Sequence, residues 1–202
     1  MRRLNQAGFT LIELMIATLV FSVVLLTVTI GIIQISRVYY KGLNEIDVQN
    51  TSRTIMDSVT QGIQFSGGTV TDTPTPAIGA LRTFCIGNQQ YSYRLGYQLV
   101  DNSPGTNQTV SSMRVNTVAD CPTAAAKTTG EEFLSPKMRL SKMSVKQITT
   151  GVYTVSIKVA YGADDLFTNP TSSDPVCKST AGSQFCSVSE LTSTVYKRVG
   201  AN

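Results

Sequence analysis

The stretch FTLIELMIATLVFSVVLLTVTIGII runs from Phe9 to Ile33 and decides how the chain is organised. Glu13 is its only charged residue. At about 1.5 Å per residue the stretch forms roughly 37 Å of α-helix, which exceeds the ~30 Å hydrocarbon core of a bilayer. We therefore predict a membrane-spanning helix at residues 9–35. Its carboxylate is expected to be functional, because burying one in a membrane costs roughly 2.5 to 3.5 kcal/mol.

The residues on either side of the apolar stretch predict its orientation. Arg2 and Arg3 precede it, so the positive-inside rule places the N-terminus in the cytoplasm and the chain beyond about Ile35 outside. A secretory signal peptide has a shorter apolar region that ends in a small-residue cleavage site, and this stretch has neither property. We predict a single-pass protein whose bulk is extracytoplasmic and is not released by cleavage after the apolar block.

The composition argues against an enzyme and against a nucleic-acid-binding protein. The 202 residues include no histidine, the usual general base, and no GxSxG, P-loop or dinucleotide motif. The net charge of +4 comes from scattered residues and forms no basic surface suited to phosphate backbones. We predict no catalytic residues and no cofactor, and nucleic acid is not an expected partner.

The first fourteen residues, MRRLNQAGFTLIEL, closely resemble the class III signal of type IV prepilins. That resemblance implies a leader at residues 1–8, cleavage between Gly8 and Phe9 by a prepilin peptidase, and methylation of the new Phe9 amine. It also implies that Glu13 pairs with the Phe9 amine of a neighbouring subunit in a filament. The implied partners are other pilin subunits, the peptidase, an inner-membrane assembly platform and, before assembly, membrane lipid. A plain signal anchor is the alternative.

Two physical features are compatible with these roles. Gly8 has no Cβ, so a protease can approach its backbone closely. Phe9 and Glu13 are four residues apart, a spacing that puts them on one helix face.

The location that the resemblance implies is the inner (cytoplasmic) membrane, followed by an extracellular pilus or a periplasmic pseudopilus. Type IV pili, type II secretion and competence systems all remain open.

The helix is predicted to continue past the membrane, with residues 36–66 forming an amphipathic half packed on a globular head. Apolar residues recur there at spacings of three and four, at Tyr39, Leu43, Ile46, Met56, Val59 and Ile63. Gly67 and Gly68 provide a stop signal. Many major pilins have a proline within the apolar span, whereas here none precedes Pro74. This departure favours a minor pilin or pseudopilin.

Residues 67–202 are predicted to form a β-rich head, which makes the fold class α+β with an antiparallel sheet packed on the helix. Val152 to Tyr161 alternates most clearly between apolar and polar residues, and Thr149 to Gly151 would join it to the preceding strand as a hairpin. The predicted strands are Leu81 to Ile86, Tyr91 to Val100, Met113 to Val118, Met138 to Ile148, Val152 to Tyr161 and Glu190 to Arg198. The predicted exposed loops are Thr71 to Pro76, Asn102 to Gln108, Thr123 to Gly130 and Asn169 to Pro175.

Four cysteines, Cys85, Cys121, Cys177 and Cys186, lie on the predicted extracytoplasmic side, where disulfides persist. Three pairings are open from sequence alone. We favour Cys85 with Cys121, and Cys177 with Cys186, which closes a short loop. Zinc is the rival interpretation, but the chain has no CxxC spacing and no histidine, so no metal site is predicted.

A calcium site is a further alternative, because Asp164, Asp165, Asn169 and Asp174 offer oxygen ligands within one region. Their spacing matches no EF-hand, in which the ligands alternate around a glycine. Acidic residues in loops are usually solvated, and we do not assign a metal to them.

The sequence favours a structural role, a subunit of a type IV pilus-like filament that aids assembly or lies near the tip. The alternative is a pilus-displayed binding module for adhesion or DNA capture. In that case Tyr91, Tyr93, Arg94 and Tyr97 would contact the ligand, although tyrosines on a strand more often pack in a core. An enzyme is the least favoured class.

Overall fold

The computed structural model describes residues 9–73, 78–98, 113–119, 121 and 130–198. The chain divides into two compact units, residues 1–40 and 41–202. One helix, α1 (Leu11–Phe65), contributes to both units, and every strand lies in the second. The architecture is α+β, as predicted, with a long N-terminal helix and antiparallel sheets.

In the first unit, α1 is apolar enough to cross a membrane, and this part of the helix is not buried against other residues. Its hydroxyl side chains bond to the helix itself. Each donates a hydrogen bond to a backbone carbonyl three or four residues earlier, and they are Thr18, Ser22, Thr27, Thr29 and Ser36. Such bonds suit a lipid environment, because hydrocarbon supplies no partner for an unsatisfied polar group.

In the second unit, α1 buries one face, but the face differs from the predicted stripe. The buried residues are Val48, Ser52, Ile55, Met56, Val59 and Ile63. Leu43 and Ile46, which the spacing assigned to this face, are exposed. The polar residue Ser52 also lies on the buried face and is fully buried. The error arose because apolar residues on two different faces of the helix were read as one stripe.

The end of α1 packs closely on the first two strands. A Cβ added at Gly62 would lie 3.3 Å from Cγ2 of Ile86, so this glycine allows the close approach. The Tyr91 hydroxyl also lies 3.3 Å from Oγ of Ser58. The helix ends at Phe65, next to the predicted glycine stop signal.

The first sheet has four antiparallel strands in the order β1-β2-β3-β4. Their bounds are Leu81–Ile86, Gln89–Arg94, Met113–Thr117 and Glu131–Glu132. Phe84 and Tyr91 are Cα partners in this sheet, and their rings stack with centroids 4.8 Å apart. Tyr91 and Tyr93 are both buried in the core beside α1.

The second sheet has three antiparallel strands in the order β5-β6-β9. The bounds are Met138–Thr149 for β5, Val152–Tyr161 for β6 and Ser187–Tyr196 for β9. β5 and β6 form the predicted hairpin, with register shifts near Ser141 and Ile148. A small pair, β7 (Phe167–Thr168) with β8 (Val176–Cys177), lies between β6 and β9 in the chain.

Several predicted strands differ from the observed ones at their ends. β2 begins two residues earlier than predicted and ends at Arg94, and β9 covers Ser187–Tyr196 instead of 190–198. The three two-residue strands β4, β7 and β8 were not predicted, since so short a segment shows no periodicity.

The described part of the predicted loop at Thr71 to Pro76 has no regular secondary structure, and its residues lie along the edges of two sheets. The Thr71 N–H donates to the Cys85 carbonyl on β1, and the Thr73 N–H donates to the Val145 carbonyl on β5. The Asp72 carboxylate accepts from the Gln147 N–H. Asn102 to Gln108 lies outside the described residues, as do Pro74 to Pro76 and Thr123 to Thr129.

Candidate functional site

The start of α1 is organised by Thr10 and Glu13. The Thr10 N–H and the Thr10 hydroxyl donate to Oε2 of Glu13 at 2.9 and 2.8 Å, and the Glu13 N–H donates back to the hydroxyl at 3.3 Å. This reciprocal arrangement is a capping box, in which two otherwise unpaired N–H groups gain acceptors. The carboxylate also lies at the positive end of the helix dipole. Glu13 is therefore held by its own helix.

The capping box corrects one sequence prediction. We expected Phe9 and Glu13 to share a helix face, but α1 begins at Leu11, Thr10 is the capping residue and Phe9 precedes the helix. The Phe9 side chain is exposed. Gly8, the predicted cleavage residue, and the rest of the leader lie outside the described residues. The role of Thr10 was missed, although TLIE at 10–13 has the S/T-x-x-E spacing of a capping box.

Glu13 lies within an apolar surface. The side chains that follow it on the helix, from Leu14 to Ile33, include many large apolar residues that are at least 46% exposed. In the first unit no other described residue from Phe9 to Ser36 carries a charge. A cationic group that entered this surface would therefore find one carboxylate with which to pair. The Glu13 carboxylate therefore provides one specific electrostatic contact within a surface whose other contacts are apolar and non-specific.

The second unit contains both cysteine pairs as disulfides. Cys85 on β1 bonds to Cys121, and Cys177 on β8 bonds to Cys186 next to β9. The first disulfide packs with Val118 in a small buried cluster. The second ties the end of β8 to the residue that precedes β9. All four cysteines are thus structural, and none is a free thiol.

Two of the acidic residues considered as calcium ligands form ion pairs with basic side chains. Asp164 pairs with Arg139, and Asp174 pairs with Lys158. Within the part of the chain that the structure describes, no group of three or more His, Cys, Asp or Glu residues is arranged to hold a metal ion. The calcium alternative therefore has no support from the geometry of Asp164, Asp165, Asn169 and Asp174.

The aromatic strand considered for ligand binding is largely core. Tyr91 and Tyr93 are fully buried. Burial raises the pKa of Tyr93 to about 12, although the nearby charge of Arg82 opposes the rise. Tyr97 is exposed, with the Arg94 guanidinium 5.8 Å from the centre of its ring. Two of the four proposed contact residues are thus unavailable to a ligand, which weakens the interpretation of this strand as a binding surface.

The N-terminal segment decides the class of protein. Residues 3–29 match the family described as the prokaryotic N-terminal methylation motif, the class III signal peptide of type IV pilins. The chain therefore carries the N-terminal motif of type IV pilin-like subunits, and this motif implies prepilin peptidase processing and other pilin subunits as partners. No curated protein and no solved structure is significantly similar to the chain.

Proposed function

We propose that the protein is a minor pilin or pseudopilin, a structural subunit that helps to assemble a type IV pilus-like filament or lies near its tip. The observation that carries the proposal is the isolated carboxylate of Glu13 at the start of a helix whose apolar side chains are exposed. An exposed apolar surface of this length needs either lipid or other helices around it. A subunit that moves from the membrane into a filament is surrounded first by lipid and then by the helices of other subunits.

In this proposal the protein starts as a single-pass protein of the inner membrane, with residues beyond the first unit outside the cytoplasm. Cleavage after Gly8 frees the Phe9 amine, a cation next to the capping box. Glu13 of one subunit then pairs with the Phe9 amine of its neighbour, exchanging part of its bonding to Thr10 for an ion pair in an apolar bundle. An assembly platform in the membrane would act on the processed subunit.

One feature supports the minor class. α1 is uninterrupted from Leu11 to Phe65 and contains no proline, whereas many major pilins carry a proline within the apolar part of this helix.

The test replaces Glu13 in the producing cell and follows membrane insertion, processing and filament content separately. Glu13→Ala should insert normally, since an apolar residue is favoured there. Its content in purified filaments should fall by at least about tenfold, which corresponds to roughly 1.4 kcal/mol of lost pairing energy. Glu13→Asp keeps the charge and should retain part of the incorporation.

Glu45→Gln is the matched control, because Glu45 is an exposed carboxylate on the same helix but outside the apolar stretch. It should leave filament content unchanged. Equal filament content for Glu13→Ala and the unmodified protein would contradict the proposed pairing. A mass spectrum of the N-terminal peptide, starting at a methylated Phe9, would verify that processing preceded assembly in each variant.

A further inference from the structure

The backbone groups on the outer edge of β9 have no strand partner among the residues that the structure describes. β9 is the last strand of its sheet, and of the described strands it pairs with β6 alone. Just beyond its end, the Lys197 N–H points towards the β5–β6 turn and bonds to the Gly151 carbonyl, while the Arg198 N–H points the other way to the Gln64 carbonyl. Because backbone groups alternate sides along a strand, the even-numbered residues of β9 direct their N–H and C=O groups away from β6.

The other sheet edges in the described parts of the chain are covered or short. Residues 69–71 lie along β1, where Thr71 bonds to Cys85 and the Thr69 carbonyl accepts from Gly87. Asp72 and Thr73 cover β5, which is also bent by two register shifts. β4 has only two residues. Proteins block sheet edges in these ways to prevent unwanted pairing.

Within the described ranges, β9 has none of these protections. Its ten residues include no proline, glycine or lysine, and its pairing with β6 is free of register shifts. Its single charge, Glu190, is bound by Lys142 at 2.7 Å and by Lys158 at 3.1 Å. The strand is also rich in Val and Thr, which favour β-structure. A long, straight edge of this kind is a site for strand addition.

We propose that β9 pairs in antiparallel fashion with β9 of a second copy of this chain. Hydrogen bonding requires the outward residues of one strand to lie opposite the outward residues of the other. The register of fullest overlap places Thr192 opposite Thr192 of the second copy. It also places Glu190 opposite Thr194, and Val188 opposite Tyr196.

The strand's own sequence is compatible with that register. The two Glu190 carboxylates do not lie opposite each other, so no like charges are brought together. The hydroxyl pair and the pairing of Tyr196 with β-branched Val188 are of the kinds that stabilise antiparallel sheets. The exposed side chains Thr192 and Thr194 continue the hydroxyl-bearing surface of the sheet, where Ser156 and Thr192 already lie 2.8 Å apart between their oxygens. The three-stranded sheets of the two copies thereby form one continuous sheet.

The test is site-directed cross-linking of the full-length protein in native membranes. All four native cysteines are in disulfides, so a cysteine introduced by Thr192→Cys is the only free thiol. In the proposed register its Cβ lies about 4.5 to 5.5 Å from its counterpart, within reach of a short bis-thiol reagent. We expect a covalent dimer of twice the subunit mass.

Ser156→Cys is the matched control, because Ser156 lies beside Thr192 on the same face but one strand further in. The two control thiols would be roughly 10 Å further apart, since each sheet adds one strand spacing. The control should give at least about tenfold less dimer. Equal yields would overturn the proposal, as would a cross-link from Thr192→Cys only to a different protein.

A second pair of variants tests the same edge without cysteines. Thr192→Lys places two like charges opposite each other at the centre of the proposed pairing, whereas Thr154→Lys puts the same charge on the neighbouring strand. The yield of chemically cross-linked dimer should fall at least about fivefold for Thr192→Lys and should not change for Thr154→Lys. Repeating the Thr192→Cys experiment with Glu13→Ala separates this inference from the filament role, because the dimer should form whether or not Glu13 supports assembly.

Discussion

Oδ1 of Asp164 lies 2.6 Å from Nη2 of Arg139, a side chain that is only 1% exposed. The same guanidinium donates to the Gly162 carbonyl at 2.8 Å and to the Pro170 carbonyl at 3.2 Å. Its carbon lies 4.8 Å from the centre of the Phe167 ring. Arg139 therefore fixes the segment that follows β6 to the interior of the second unit.

Replacing Arg139 by methionine should lower the free energy of unfolding by about 2 kcal/mol, because the carbonyls of Gly162 and Pro170 lose charge-assisted hydrogen bonds and only the Gln98 amide still donates to Gly162. Arg139→Lys should recover only part of the lost stability, because an ammonium group cannot reproduce the planar, forked arrangement of guanidinium N–H donors. Denaturant titration of the detergent-solubilised full-length protein, followed by tyrosine fluorescence, measures the change. Arg198→Met is the control, since Arg198 is exposed, and an equal loss in both variants would contradict this role.

Tyr93 should make the second unit sensitive to alkali. Its pKa is about 12 in the folded state and 10 as a free side chain, so folding favours the neutral phenol. The stabilising contribution is complete below pH 10 and is lost as the pH rises towards 12, by roughly 3 kcal/mol. Tyr93→Phe should show a smaller loss over this interval in pH-dependent unfolding. Tyr196→Phe, an exposed control, should behave like the unmodified protein.

Glu190 should contribute to stability above acidic pH. Hydrogen bonds from Lys142 and then Lys158 lower its pKa below the usual value of 4.5. The contribution is present above pH 4.5 and is lost as the pH falls through the lowered pKa. Because Glu190 is partly exposed, the effect should be a fraction of 1 kcal/mol. Glu190→Gln should flatten the acid limb of the stability profile, whereas Glu131→Gln, at an exposed residue, should leave it unchanged.

The two disulfides should differ in their contribution. Their cysteines are 36 and 9 residues apart, for Cys85–Cys121 and Cys177–Cys186 respectively. Loop-closure entropy then predicts roughly 4 and 2.5 kcal/mol of stabilisation. The double serine variant of the first pair should therefore unfold at a lower denaturant concentration than that of the second pair. The reverse order would show that strain or residual structure outweighs loop length.

Processing should depend on the size of residue 8. If close backbone approach is the reason for glycine, Gly8→Ala should slow cleavage much less than Gly8→Val, because the β-branched side chain obstructs the backbone on both sides. The measurement is the ratio of precursor to mature protein after pulse labelling. Equal rates for both variants would indicate that the peptidase does not approach the backbone of this residue.

The elements that were predictable from sequence are those with strong periodic or compositional signals. The apolar block and the alternating residues of Val152–Tyr161 gave α1 and β6 correctly. The start of β9 was placed at Glu190, three residues late, because Val188 falls on the opposite face from Leu191 and Val195, so the apolar alternation does not continue to Ser187. The buried face of α1 was misjudged at Leu43 and Ile46, since spacing alone does not show which of two apolar faces meets the sheet.

At the candidate site, the signal motif was evident because it is a local pattern, and Thr10 was recoverable from the capping-box spacing. Arg139 was not predictable. It lies in a strand between apolar neighbours, and its partners, Gly162, Asp164 and Pro170, are brought to it only by the turn after β6. The sequence around Arg139 therefore does not indicate that its charge is buried and bound by residues distant in the chain.

The pairing of the cysteines has a consequence for biogenesis. Each disulfide joins cysteines that are consecutive in the chain, so the two bonds are neither nested nor interleaved. In a polypeptide exported from N- to C-terminus, Cys121 emerges before either of the last two cysteines is accessible. An oxidase that joins thiols in their order of arrival would thus produce the native connectivity directly, and the subunit should mature in cells that lack a disulfide isomerase.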